Sequence, residues 1–262
     1  MYLVEVFFTI DIKQNRDNQA AAINILVDQW RYNGQIIGRE IPLFAAEQEG
    51  LQGFALRVTC PEQHSLLPEW NNDFVNQALA QAEQLGVQLN SLQILAHDWN
   101  SEQTYPIEQS PSHWQVLYTT HLQSCSPLQD GETLLPIPLY QRLQKYPALS
   151  TDLIKWQENW QACDQLQMNG AVLEQSALNE ISNLNSNLSK HGRALAAEIE
   201  QASQIPTYYY LYRVGATDSA SEEKLRCPSC NEKWLLEKPI ADIFQFKCDK
   251  CRLVANFSWN LL

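Results

Sequence analysis

Two pairs of cysteines carry the clearest chemistry in the chain: Cys227 and Cys230 in C-P-S-C, and Cys248 and Cys251 in C-D-K-C, with seventeen residues between the pairs. A two-residue gap lets both sulfurs of one tight turn face a single ion, and the intervening segment has room for a hairpin. This spacing predicts a zinc ribbon. Four thiolates fill a tetrahedral shell and leave no position for water or substrate, so the expected cofactor is one structural zinc ion and not a catalytic one. The stretch from Glu222 to Leu262 is too short to bury much apolar surface, so metal–thiolate bonds would supply the folding free energy that a core otherwise gives. A redox dithiol is the competing reading. It normally occurs as one C-x-x-C at a helix start, whereas two matched pairs stand here.

Other candidate constellations are weaker. His97 and Asp98 end an apolar run without a visible second partner for acid–base work. The spacings of His113, His121 and Cys125 suit no common ligand turn. No phosphate loop, nucleophile elbow or paired-carboxylate motif is present, and the expectation is a non-enzymatic protein.

A ribbon leaves its partner open. Single-stranded RNA or DNA would need cations for phosphate and aromatic faces for bases. Arg226, Lys233, Lys247, Lys250 and Arg252 with Trp234, Phe244, Phe246 and Trp259 form the candidate face. The opposing expectation is that these rings pack around the metal, because a ribbon has little other core. The whole chain carries a net charge of −12, which argues against broad capture of nucleic acid. From Leu225 to Leu262 six basic and four acidic residues leave +2, which a tetrathiolate zinc would cancel. The leading expectation is a ribbon that binds RNA or single-stranded DNA, and the alternative is a protein–protein adaptor in which the zinc is structural.

The elements that must position these residues read as an α+β chain of 262 residues. Tyr2–Ile12 reads as a buried strand, Asp17–Tyr32 as a helix stopped by Asn33-Gly34, Ile36–Ala46 and Phe54–Cys60 as strands, Pro68–Leu85 as a helix and Ser91–Trp99 as a strand. That order predicts a ferredoxin-like unit over residues 1–105. Residues 106–149 follow as a connecting segment. In it His113–Leu122 reads as a strand, Cys125–Glu132 as a loop, and Leu134–Tyr140 (L-L-P-I-P-L-Y) as an extended stretch that either packs across a surface or docks a partner.

Residues 150–204 read as a helical hairpin. Its second helix, about thirty residues long, contains Gly192 and carries a near-heptad stripe that offers a coiled-coil face as the alternative to packing within the chain. Residues 205–262 hold a tyrosine-rich strand, Pro206–Val214, a polar linker over Gly215–Glu223, and the ribbon. The tyrosines alternate, so at most half of them face any one ligand. No apolar stretch approaches membrane-spanning length, the N-terminus has no leader, and the scattered Cys60, Cys125 and Cys163 suit a reducing cytoplasm.

The strings P-T-Y-Y-Y-L-Y-R, C-P-S-C-N-E-K-W and I-F-Q-F-K-C-D-K-C-R-L-V-A-N-F-S-W, with P-I-P-L-Y and S-N-L-S-K-H-G-R-A-L upstream, resemble a proteobacterial family of unknown function. That family is described as Zn-ribbon-containing, nucleic-acid-binding proteins. The resemblance implies Cys227, Cys230, Cys248 and Cys251 as metal ligands and transfers no other site. Asn231 stands where a glycine commonly follows the first knuckle, and asparagine tolerates the left-handed turn needed there.

Overall fold

The computed structural model describes residues 1–101, 103–107 and 111–261, so three residues of the connecting segment (108–110), together with residues 102 and 262, lie outside the description. The fold is mixed α+β, and the chain divides into two compact units.

The first unit comprises Met1–Thr104, Ser124–Ser126 and Pro138–Thr151. Its elements are β1 (Tyr2–Ile10), α1 (Arg16–Tyr32), β2 (Leu43–Gln48), β3 (Leu51–Cys60), α2 (Asp73–Gln84) and β4 (Val87–His97). The four strands form one antiparallel sheet in the order β2-β3-β1-β4. Val4, Val6 and Phe8 of β1 meet Ile23, Leu26, Val27 and Trp30 of α1 in a single core. Period-2 alternation on the strand and a 3.6-period stripe on the helix place them there.

The expected strand from Ile36 begins only at Leu43, because Gly38 turns the chain at positive φ. The expected helix from Pro68 is a 3₁₀ turn over Pro68–Trp70 and then α2, whose cap Asn72 accepts the Val75 N–H. A short helix, α3 (Leu139–Arg142), closes this unit, with Tyr140 donating to Glu62 at 2.5 Å and touching Ser65 at 3.0 Å. Pro136–Tyr140 is buried throughout, so the L-L-P-I-P-L-Y stretch is no docking strip.

The second unit comprises Tyr105–Gln123, Pro127–Ile137 and Asp152–Leu262. Its sheet contains β5 (Gln115–Leu117), β6 (Leu128–Asp130), β7 (Thr207–Leu211), β8 (Leu235–Ile240), β9 (Phe244–Cys248) and β10 (Leu253–Ala255), in the order β6-β5-β7-β10-β9-β8. Thus β6 occupies part of the expected loop. The helices are α4 (Pro147–Asn169), which begins in the first unit, α5 (Glu174–Ser182), α6 (Asn187–Ser203) and α7 (Ser219–Glu223).

Two helices, α5 and α6, replace the single long one. Ser186 caps α6 by accepting the Ser189 N–H, and Asn183 accepts the Asn185 N–H, so short polar side chains compete for the backbone between them. The stripe residues Leu188, Leu195 and Ile199 are buried within the chain, which leaves no coiled-coil seam. The polar linker is likewise not free. Glu222 of α7 is buried, pairs with Arg213 at 2.9 Å and accepts the Ser258 N–H.

Strand β7 pairs in parallel with both β5 and β10, and all five of its residues are buried. Parallel strands covered on both faces read as unbroken apolar runs, and the tyrosine run is one whose hydroxyls each need a partner. Tyr208 donates to Asp249, Tyr209 meets Ser189 at 3.2 Å, and Tyr210 meets Asn256 at 3.0 Å. No half of the strand is left for a ligand.

Gly192 lies in the continuous helix α6, where a Cβ would come 2.3 Å from the Tyr209 ring and 2.6 Å from Trp156 Nε1. It is there for close approach. Gly192→Ala, though a gain in helix propensity, is therefore expected to destabilise the protein by about 1–3 kcal/mol through overpacking, read as a lowered urea midpoint.

Candidate metal centre

Each cysteine pair sits on a turn set by β-pairing. Residues 227–232 form a turn between the bridged residues Arg226 and Lys233, closed by Cys227 N–H to Glu232 O and Asn231 N–H to Cys227 O, both 2.9 Å. Cys248 ends β9 opposite Leu253 of β10, and Cys251 lies in the turn between them. Asn231 and Arg252, the residues after each second cysteine, have φ of 61° and 51°. The left-handed turn expected at Asn231 is present, and Arg252 repeats it without asparagine's local compensation.

The four Sγ atoms lie within 4.8 Å of one another, with Cys230 and Cys248 at 3.6 Å. Four sulfurs around a zinc-sized ion stand about 3.8 Å apart, given metal–sulfur bonds near 2.3 Å. A disulfide would need about 2.05 Å, and all seven cysteines are free thiols.

Backbone N–H groups point at the sulfurs. Glu232 donates to Cys230, whose thiol is thereby pulled below its ordinary value. Burial pushes the Cys227 thiol up and the Cys248 thiol up to about 12, against N–H donation from Ser229 and Cys230 to the first and from Cys251 to the second. Buried thiols of this kind become thiolates only when a cation compensates them. The four cysteines could therefore hold a metal ion. Among the described residues His113, His121 and Cys125 form no such group; His121 instead pairs with Asp164 at 3.1 Å. His97 meets Tyr2 in a tilted contact and Trp99 edge-on, and Asp98 accepts the Asn100 N–H, so neither forms an acid–base site with the other.

Three of the four rings of the candidate nucleic-acid face are not at the surface. Trp234, Phe244 and Phe246 are buried, with Trp234 and Phe246 stacked at 4.9 Å and Phe257 stacked on Phe246 at 6.1 Å. They pack on one another and on Tyr118, Tyr210 and Phe257, and no base could reach them. Trp259 is exposed.

Most of the cations are engaged. Lys247 lies over Trp114 and Tyr208 and pairs with Asp249 at 3.3 Å. Lys250 pairs with Glu232 at 2.7 Å. Arg252 grips Glu200 with two nitrogens, at 2.9 and 3.0 Å, and donates to Asp249 O at 2.7 Å. Arg226 and Lys233 are exposed and make no ion pair among the described residues.

Glu200 is the residue that sequence reasoning missed. It comes from α6, fifty-two positions before Arg252, and also accepts the Thr207 N–H. It pairs with the side chain of the left-handed residue that completes the second turn. Nothing local in the sequence signals a contact between a helix and a turn so far apart.

Three families, each described as a domain of unknown function, match the chain: DUF8589 over residues 1–96, DUF2310 over 109–212 and DUF8594 over 216–261. An uncharacterized protein of Haemophilus influenzae is 59% identical over 263 residues, covering all of both chains. The chain belongs to its family. A second uncharacterized Haemophilus influenzae member is 57% identical over 202 residues, covering 77% of this chain and 94% of its own. The family fits the proteobacterial family of unknown function expected from the C-terminal strings. No solved structure matches it.

The Arg252 guanidinium holds the Glu200 carboxyl below its ordinary value of 4.5. A depressed carboxylate stabilises the fold above the unfolded value and loses that contribution as pH falls through the folded one. Glu200→Gln should therefore lower stability by roughly 1 kcal/mol or less at neutral pH, both partners being part-solvated. The gap from the parent protein should close on the acid side of 4.5, as measured by urea midpoints across pH.

Proposed function

We propose that this chain is a non-enzymatic cytoplasmic protein in which one structural zinc ion closes a C-terminal ribbon, and that it works by binding protein rather than nucleic acid. The observation that carries this reading is the gathering of four sulfurs within 4.8 Å on two turns of matched geometry. Soft thiolates in a tetrahedral set favour zinc, and a complete sulfur shell makes its role structural. Cys227, Cys230, Cys248 and Cys251 would hold it, and the ion would supply the charge compensation that lets buried thiolates persist. The resemblance of the C-terminal strings to zinc-ribbon proteins supports the same ion.

The first unit is proposed to be ferredoxin-like, on its strand–helix–strand–strand–helix–strand sequence and its sheet order β2-β3-β1-β4. Seven free thiols suit a reducing cytoplasm, and no described helix is long and apolar enough to cross a membrane. The preference for protein over RNA or single-stranded DNA rests on the burial of Trp234 and Phe246, the pairing of Lys247, Lys250 and Arg252 with carboxylates, and the net charge of −12. The non-enzymatic reading rests on a sulfur shell with no open position.

Elemental analysis of the purified chain should give one zinc per chain. The double substitution Cys227→Ser and Cys248→Ser should abolish it and unfold the ribbon while the first unit keeps its helical signal. An unchanged metal content would contradict the ligand set. Fluorescence anisotropy against single-stranded RNA, single-stranded DNA and duplex DNA should show no binding at physiological salt. Micromolar, zinc-dependent binding there would return the ribbon to nucleic-acid recognition.

A further inference from the structure

Protein interiors are close-packed, so an open cavity with apolar walls and a few polar groups is where a small ligand fits. The first unit has one, of about 230 Å³, between α2 and β4. Phe8 of β1, Leu26 of α1, Ala82 of α2 and Val87 of β4 line it and are buried, so they form its floor. Alanine at 82 leaves open the space that a longer side chain would fill. Leu79 and Leu89, half-buried, stand on its two sides. The polar members of the lining, Glu83 and Gln88, are both exposed, so they mark the mouth.

Glu83 decides what such a cavity takes. Its carboxylate makes no ion pair or side-chain hydrogen bond among the described residues. Neither α2 nor β4, the elements on either side of the cavity, contains a lysine or an arginine to pair with it. A purely apolar group filling the space would strip water from that carboxylate and give it no partner. An anion would meet like charge. A cation on an apolar stem satisfies floor and mouth together, in the way long cationic side chains lay their methylenes on apolar surface and keep the charge at the water. The net charge of −12 draws cations to this chain from a distance.

We infer that the cavity binds a primary alkylammonium group, with its methylenes against Phe8, Leu26 and Ala82 and its charge at the Glu83 carboxylate. An apolar cavity of about 150 Å³ holds benzene, so this larger one has room for a linear stem the length of a lysine side chain. Two sources carry that group: a free aliphatic amine and the lysine side chain of a partner protein. The second would make the cavity one contact of the protein-binding role proposed above. All the lining residues belong to the first unit, so the site does not depend on the metal.

The test is a titration of the full zinc-loaded chain with the series from ethylammonium to pentylammonium, read by backbone amide NMR shifts. Saturable shifts should gather at residues 79–89, and affinity should rise by about threefold to fourfold per methylene, the factor that burying one CH₂ represents. Glu83→Gln alters an exposed side chain with no described partner, so the fold should persist. It should weaken pentylammonium binding by about fivefold and leave pentanol binding unchanged, a split that misfolding cannot produce. Nα-acetyl-lysine N-methylamide separates the sources. Binding as tight as pentylammonium's assigns the cavity to a partner's lysine, and weaker binding assigns it to a free amine. Absence of saturable shifts at residues 79–89 overturns the proposal. So does pentylammonium binding that Glu83→Gln leaves unchanged, because the carboxylate would then select nothing.

Discussion

The parallel pairing of Leu253–Ala255 with Tyr209–Leu211 is the contact on which the C-terminal third of the protein depends. A metal ribbon on its own has too little apolar surface to exclude water, and its rings would remain at the surface. Joined to β7, strands β10, β9 and β8 continue a six-stranded sheet. Phe244 then packs on Tyr118 and Tyr210, and Phe246 stacks with Trp234. Burial of those rings leaves Trp259 as the exposed ring of the candidate nucleic-acid face.

The same pairing ties the cysteine turns to the helices. Tyr209 donates its N–H to Arg252 O at 2.9 Å, and Arg252 reaches Glu200 of α6. The second turn is therefore held from two directions, by β10 against β7 and by an ion pair to a helix. A left-handed residue with a full side chain costs roughly 1–2 kcal/mol, which such cross-links offset. The first turn uses Asn231, which tolerates that conformation, and carries only the exposed Lys250–Glu232 pair. Surface pairs of that kind contribute little, so the hairpin hydrogen bonds, with any ion the four sulfurs hold, are left to fix it.

Many polar groups inside the two units follow the rule that buried donors and acceptors find partners, although the indole N–H groups of Trp30, Trp160 and Trp234 meet no acceptor among the described residues. In the first unit Asn33, Gln35, Ser65, Asn71 and Asn72 form a buried hydrogen-bonded network, and Tyr140 adds its hydroxyl to Ser65 and Glu62. In the second, the hydroxyls of β7 are each satisfied by a different element. Such networks fix which surfaces meet, because a slipped arrangement would leave several groups unpaired at once.

Local pattern by itself determined the four-cysteine cluster, the stripe of α1, the left-handed turn at Asn231 and the α+β order of the first unit. Each depends on spacing over a few residues, where chain geometry leaves few choices. Tertiary structure decided the rest. Whether Trp234 and Phe246 face solvent depends on a strand more than twenty residues earlier, and whether Arg252 is available to a ligand depends on Glu200. Gly192, which by propensity weakens a helix, is required by the Tyr209 and Trp156 rings that close on it. The break between α5 and α6 lay in the sequence as Asn183 and Ser186, but an apolar stripe running through both sides concealed it. A stripe records which side is buried and not against what, and the partner is chosen by contacts that no local window contains.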